Sequence, residues 1–182
     1  STGGYSSLLS LLPMMQYPPK APVIVSLGTA TQFMDPFIDY LSSFVSFPVI
    51  RAKNGMQLKN GTVFFISGNE SATLEKNGDK IELIISPRPD MFDLEGGVDL
   101  LMFSASELFG EDTVGIFLSG DRPEGLSGAR EIVRNKGKII VQRPETCLSP
   151  DQPLRIFTEV GAESLGLSEL AQNLSSSERS QS

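Results

Sequence analysis

Residues Thr113 to Gly128, TVGIFLSGDRPEGLSG, decide the fold. Val114 to Leu118 is a short, nearly continuous apolar run, the pattern of a strand buried on both faces. It stops at Ser119-Gly120, crosses a loop of Asp121, Arg122, Pro123 and Glu124, and restarts at Gly125. From there Leu126, Ala129, Ile132 and Val133 fall at roughly helical spacing, and Gly137 is the expected stop. A strand, a glycine-rich loop and then a helix is how open α/β sheets place their chemistry, at the carboxyl ends of the strands. Ser1-Thr2-Gly3-Gly4, followed by a helical pattern, is a second stretch of this sort. The two loops form the candidate site.

Outward from these loops the chain alternates strands and helices. Tyr5, Leu8, Leu9 and Leu12 mark one helix face, ended by Pro13. Val23 to Leu27 is a buried-type strand closed by Gly28. Asp35-Pro36 reads as a helix start, cap then first-turn proline. It leads into Phe37, Tyr40, Leu41, Phe44 and Val45, an amphipathic stripe whose aromatic members are expected in the core. Strands follow at Val49-Ile50 and Thr62 to Ile66, with a turn at Asn54-Gly55 between them. Thr73 to Glu75 and Ile81 to Ile84 flank Lys76-Asn77-Gly78-Asp79, a strong hairpin signal. Pro87 and Pro89 mark a loop before a second helical face, Val98, Leu101, Met102, Ala105, Leu108 and Phe109. Lys138 to Gln142 is a strand, and short helices are expected around Leu154 to Val160 and, capped by Ser168, Leu167 to Leu174. The expected fold is a doubly wound, mostly parallel α/β sheet flanked by helices, with one antiparallel hairpin excursion. Residues 1–174 form the domain, and the polar, Ser-rich stretch from Ser175 to Ser182 is expected to be a disordered tail.

Composition narrows the function. At 182 residues the chain is long enough for a real core. Its 15 Lys+Arg against 22 Asp+Glu give a net charge of −7 without a basic cluster, which argues against nucleic acid or an anionic membrane as partner. No apolar run is long enough to span a bilayer, and no signal peptide is read at the start. The single cysteine, Cys147, forbids an internal disulfide and fits a reducing, cytoplasmic setting. There is no histidine, which removes the commonest general base and the commonest metal ligand together. No cofactor and no metal are expected.

With the segments in order, the chain resembles the catalytic domain of the chemotaxis protein-glutamate methylesterases, the CheB family. Ser1-Thr2-Gly3-Gly4 matches the family motif G-A-S-T-G-G from its serine onward. Pro22 to Leu27 matches the strand before the family's Q-H-M-P loop. Gly61 to Gly68, GTVFFISG, is similar to G-x-x-Y-I-A-P-G, and Val98-Asp99 stands where the family has S-V-D. Val114 to Gly128 is similar to V-G-V-I-L-T-G-M-G-x-D-G-x-x-G, and Gln142 to Cys147 with Gly161-Ala162 matches the last strand, its loop and the next turn. The resemblance implies a parallel strand ahead of Ser1, and in the family an N-terminal receiver domain is usual.

The resemblance also assigns roles. Family enzymes hydrolyse the γ-methyl ester of glutamate on chemoreceptors with a Ser-His-Asp triad. The serine lands on Ser1, the histidine on Gly28 and the aspartate on Glu124. The methionine whose N–H helps form the oxyanion hole lands on Asp121, with Thr2, Gly3 and Gly120 in the same substrate and oxyanion loops. The nucleophile position is therefore kept, the acid is one methylene longer, and the base is gone. A serine hydroxyl is a poor nucleophile at neutral pH without a positioned base. Glu124 cannot orient an imidazole that does not exist, and the Asp121 carboxylate would repel a developing oxyanion. The domain is accordingly read as a degenerate methylesterase.

The same residues admit other roles. Ser1 supports the turn as a cap or loop residue. An α-amino group at Ser1, pKa about 7.7–8.0, could act as base only if the first strand were absent. Lys20 and Asp35 are the nearest alternative bases, though neither occupies the matching position. Asp121 and Glu124 could hold Mg²⁺ or Ca²⁺ weakly, but read better as an acidic loop balanced by Arg122. Cys147, beside no histidine and no basic cluster, is expected to be inert. Two classes of function remain: a docking or regulatory module for a chemoreceptor or receiver domain, and an active serine hydrolase of methyl esters. Oligomeric state is not written in the sequence.

Overall fold

A computed structural model describes residues 3–87 and 97–176. In chain order its first elements are α1 (Gly4–Met14), β1 (Val23–Leu27), α2 (Thr31–Ser42), β2 (Val49–Arg51), β3 (Met56–Gln57), β4 (Val63–Ser67), β5 (Glu70–Asn77) and β6 (Lys80–Pro87). There follow α3 (Gly97–Phe109), β7 (Val114–Phe117), α4 (Leu126–Arg134), β8 (Lys138–Gln142), α5 (Asp151–Val160), β9 (Glu163–Leu165) and α6 (Leu167–Leu174).

The strands form two parallel sheets, ordered β1-β4-β2 and β7-β8-β9, and one antiparallel sheet, β3-β6-β5. The hairpin β5–β6 turns at Asn77↔Lys80, around Gly78, where the Asn-Gly signal puts it. β4 shows why the layers form. It lies between β1 and β2, and all five of its residues are buried. Val63 and Phe65 face a core made with α1, α2 and α6, while Phe64 and Ile66 face the hairpin sheet and α3. That period of two, apolar on both faces, is what a covered parallel sheet demands. In the second sheet, Phe117, Val141 and Ile139 pack against Ile132 of α4 and Ile156 of α5.

Several local expectations change. α2 begins at Thr31, a turn before Asp35-Pro36, because fully buried Met34 anchors the extra turn in the core. Along α2 the core members are Met34, Ile38 and Leu41. Phe37 is only partly buried, and Tyr40 (57% exposed) and Phe44 (52%) stack edge-on against each other at the surface. The stripe is wider than the face the sheet can cover. α4 ends with Lys136, not Gly137, in the left-handed region (φ 65°). Gly137 is needed for closeness instead, since a Cβ there would stand 2.7 Å from the Thr113 carbonyl oxygen. α5 starts at Asp151, and α6 is capped by Gly166, whose N–H donates to the Glu169 carboxylate, rather than by Ser168. Ser175, placed in the tail by composition, bridges Pro19, and Ser176 N–H donates to the Pro18 carbonyl. Residues 177–182 lie outside the described residues.

Candidate functional site

The carboxyl ends of β1, β4 and β7 converge on one small cavity of about 60 Å³. Gly28 follows β1 and Gly68 follows β4, and the two backbones touch: a Cβ on Gly68 would stand 2.8 Å from the Gly28 Cα. The Gly68 N–H donates to the Leu27 carbonyl at 2.8 Å, which fixes this approach. Across the cavity stand Arg122 and Glu124 from the loop after β7, with Gln152 of α5 and Glu70 of β5 completing the polar wall. The structure thus brings together Gly28 and Glu124, two of the three positions singled out for a triad. Ser1 and Thr2 lie outside the described residues.

Glu124 is an exposed-loop residue by sequence and a buried one in the structure, at 6% exposure. Three neighbours hold it there. Arg122 Nη1 lies 3.7 Å from its Oε1. Gln152 Nε2 donates to its carbonyl at 2.8 Å, and Arg155 donates to the carbonyls of Arg122, Pro123 and Glu124. The loop is tied further at Gly120, which donates to the Ser149 carbonyl and accepts from the Gln152 N–H. Asp121 is exposed at the loop's outer edge. Arg51 neutralises Glu70 at 3.1 Å.

The other half of the site is the start of α1. Gly3 has φ 87° and caps the helix, and a Cβ on it would fall 2.2 Å from Ser119 Oγ. Only glycine meets both demands. Below it lies a buried node that no motif in the sequence marks. The Gln142 Oε1 accepts from Ser7 Oγ (2.7 Å) and from the Ser119 N–H (3.0 Å), and its Nε2 donates to the Thr146 carbonyl (3.2 Å). A glutamine ending an apolar strand, Ile139-Ile140-Val141-Gln142, was the available signal, because a buried amide must be satisfied. Asp99, matched in the sequence only to the family's S-V-D, has a structural role of the same kind. Its carboxylate accepts the N–H groups of Gly125 and Gly128 and so caps α4 from a neighbouring helix.

Neither alternative base lines the cavity. Lys20 precedes β1, at the opposite end of that strand, and its backbone bonds the Leu174 carbonyl. Asp35 sits on α2, 3.6 Å from Arg51. Cys147 is half-buried, and burial pushes its thiol pKa up, with Glu145 adding to the rise against a hydrogen bond with Ser119. Its thiolate is disfavoured at neutral pH.

Parallel sheets covered by helices, with a loop-built polar cavity at the strand ends, define an open-sheet α/β domain of the kind that carries its site on strand-to-helix loops. The chain belongs to the CheB methylesterase family, whose model matches residues 1–174. It is 27% identical over 157 residues to a protein-glutamate methylesterase/protein-glutamine glutaminase of Desulfitobacterium hafniense (strain Y51), covering 86% of this chain and 40% of the relative. A Myxococcus xanthus (strain DK1622) protein of the same description is 27% identical over 161 residues, covering 88% and 46%. The chain therefore spans less than half the length of these relatives. The crystal structure of the Thermotoga maritima CheB methylesterase catalytic domain shares the fold, with a TM-score of 0.85 at 23% identity over 94% of this chain and 91% of that one. The parallel sheets flanked by helices, with a separate antiparallel hairpin sheet, are therefore the family fold, as the motifs implied.

Proposed function

We propose that this is a chemotaxis-type methylesterase domain that has given up catalysis and serves as a cytoplasmic docking or regulatory module. The observation carrying this reading is the pairing of Gly28 with Glu124 at one cavity in a chain without histidine. Gly28 offers no atom to take a proton from a hydroxyl. Glu124 offers only a carboxylate, an intrinsically weaker base toward a serine hydroxyl than the imidazole it would replace. Loss of a triad member leaves at best about 10³–10⁴-fold acceleration over water. The surrounding scaffold is nevertheless tightly held, from the Arg155 clamp to the Asp99 cap. A fixed frame around a disarmed centre suits binding. Leu148, 73% exposed and next to Gly3, gives the rim an apolar contact for a protein partner, a chemoreceptor or a receiver domain.

The test is methanol release from methylated chemoreceptor membranes, with Ser1→Ala and an active methylesterase run in parallel. The expected result is release equal to that of Ser1→Ala. Release above background that disappears in Ser1→Ala would instead establish a serine hydrolase.

A further inference from the structure

We propose that the face shared by α1 and α2 is a docking groove for an amphipathic helix of a partner protein, one with large apolar side chains along one side and Lys or Arg flanking them. Phe33, Phe37 and Tyr40 recur at i, i+4 and i+7 on α2, and Phe44 extends the row in the turn that continues the helix. The row lies about a quarter turn away from Met34, Ile38 and Leu41, which hold α2 to the core. Phe33 is 58% exposed, and Tyr40 and Phe44 are also more than half exposed. Single exposed aromatics are ordinary, but three in one row offer roughly 300 Å² of aromatic surface, the size at which a patch marks a contact site.

α1 forms the second wall. Its Tyr5, Leu9 and Pro13 follow one another at i, i+4 and i+8, and none is fully buried. The Tyr5 ring meets Phe37 edge-on, with centroids 4.8 Å apart, and Phe37 in turn rests on Phe65 of β4 at 6.0 Å. That contact closes the floor of the groove and sets the two apolar rows side by side. Two neighbouring helices leave between them the channel into which a third helix packs. Phe33 to Phe44 spans about 16 Å of helix, so about three turns of a partner helix, with anchors at i, i+3 or i+4 and i+7, would cover it.

Charge selects the occupant. α1 carries no charged residue, and α2 carries only Asp35 and Asp39, both exposed. Arg51 reaches Asp35 at 3.6 Å but is itself largely buried and shared with Glu70, and the Asp35 side chain stays 73% exposed. Lys20 is the one base among the first 50 residues of a chain whose net charge is −7. The rim of the groove is therefore acidic, and basic residues flanking an apolar helix face complement it. A second copy would instead set this acidic rim against its own equal, and an anionic bilayer would be repelled. None of these groove residues lines the cavity that Gly28 and Glu124 share, so the groove does not depend on whether that centre is catalytic.

The probe is a synthetic amphipathic helix, QKLAKLFQKFLAKLQ, labelled with fluorescein and titrated with the 182-residue chain. Its anisotropy should saturate, and a counterpart with Glu for every Lys should bind at least about tenfold more weakly. Phe33→Ser and Tyr40→Ser should each weaken binding by at least about fivefold. Leu154→Ser, at an exposed position of α5, should leave it unchanged. Amide exchange of the parent chain, which needs no variant to fold, should slow in α1 and α2 and not in α5 when the peptide is bound. No saturation, equal binding of the Glu peptide, unchanged binding in both aromatic variants, or protection outside α1 and α2 alone would each overturn the groove. So would a dimer of the chain in sedimentation equilibrium, or adhesion to phosphatidylglycerol vesicles, that Tyr40→Ser abolishes, since each would give the face a different occupant. Methanol release is a separate readout, so the groove and the loss of catalysis fail separately.

Discussion

The Asp99 carboxylate at the start of α3 accepts the Gly128 N–H at 2.7 Å and the Gly125 N–H at 3.0 Å, so one helix caps the next. α4 is preceded by Gly125, which has no side chain to perform this task. Asp99→Ala leaves two buried donors without their acceptor, and should lower stability by about 1–3 kcal/mol. Asp99→Asn keeps one acceptor oxygen and should cost less. Urea unfolding of the three proteins checks the order; equal midpoints would show that the cap contributes nothing.

Gln142 is the corresponding node at the end of β8. Gln142→Leu keeps the bulk but strips the acceptor from Ser7 and from the Ser119 N–H, and the donor from the Thr146 carbonyl. A loss of about 1–3 kcal/mol is expected for the groups left unsatisfied. Gln142→Glu preserves both accepted bonds but sets an acceptor oxygen against the Thr146 carbonyl, so it should not restore the parent's stability. Chemical unfolding measures the first effect, and faster exchange of the Ser119 amide locates it.

These two residues mark the limit of what the sequence discloses. The strand, loop and helix from Thr113 to Gly128 and the Asn77-Gly78 hairpin are written in local chemistry, apolar runs and turn residues, and they are legible residue by residue. Gly28 and Glu124 could be matched to site positions through motif order. Their sharing of one cavity depends on packing, because Arg155 and Gln152, about thirty positions further on, draw the loop inward. The amide oxygen of Gln142 and the carboxylate of Asp99 accept from partners more than twenty positions away, and no local pattern encodes such partners. The α2 stripe failed for a related reason: periodicity shows that a face is apolar, while only the neighbouring elements determine how wide a face they cover.

Cys147 supplies a pH test. Burial and Glu145 hold its thiol above the ordinary value, so alkylation by iodoacetamide should be slow at neutral pH and rise at a higher pH than for an unfolded control. The sign of the linkage follows from the same shift. A group whose folded pKa lies above its unfolded value contributes stability that is fully present below the unfolded pKa, near 8.5, and is lost as pH rises through the folded one. Stability should therefore fall on the alkaline side of that window more in the parent than in Cys147→Ser. Alkylation as fast as that of the unfolded chain at pH 7 would contradict this placement of the thiol.

The buried face of α2 and the turn just beyond its end can be separated by a pair of substitutions three residues apart. Leu41 is fully buried between α2 and the sheet, and Leu41→Ala should cost about 2–5 kcal/mol, the range for truncating a core leucine. Phe44 is 52% exposed and touches chiefly Tyr40, with ring centroids 4.9 Å apart. Phe44→Ala forfeits that edge-on contact, about 0.5–1.5 kcal/mol, and little cavity energy, because solvent already reaches the ring. If Phe44 were a core residue the same substitution would cost about 3–5 kcal/mol. Thermal or urea unfolding of the two variants therefore distinguishes a core position from a surface one. A Phe44→Ala loss matching that of Leu41→Ala would mean that a partner surface or another part of the polypeptide covers this flank of α2.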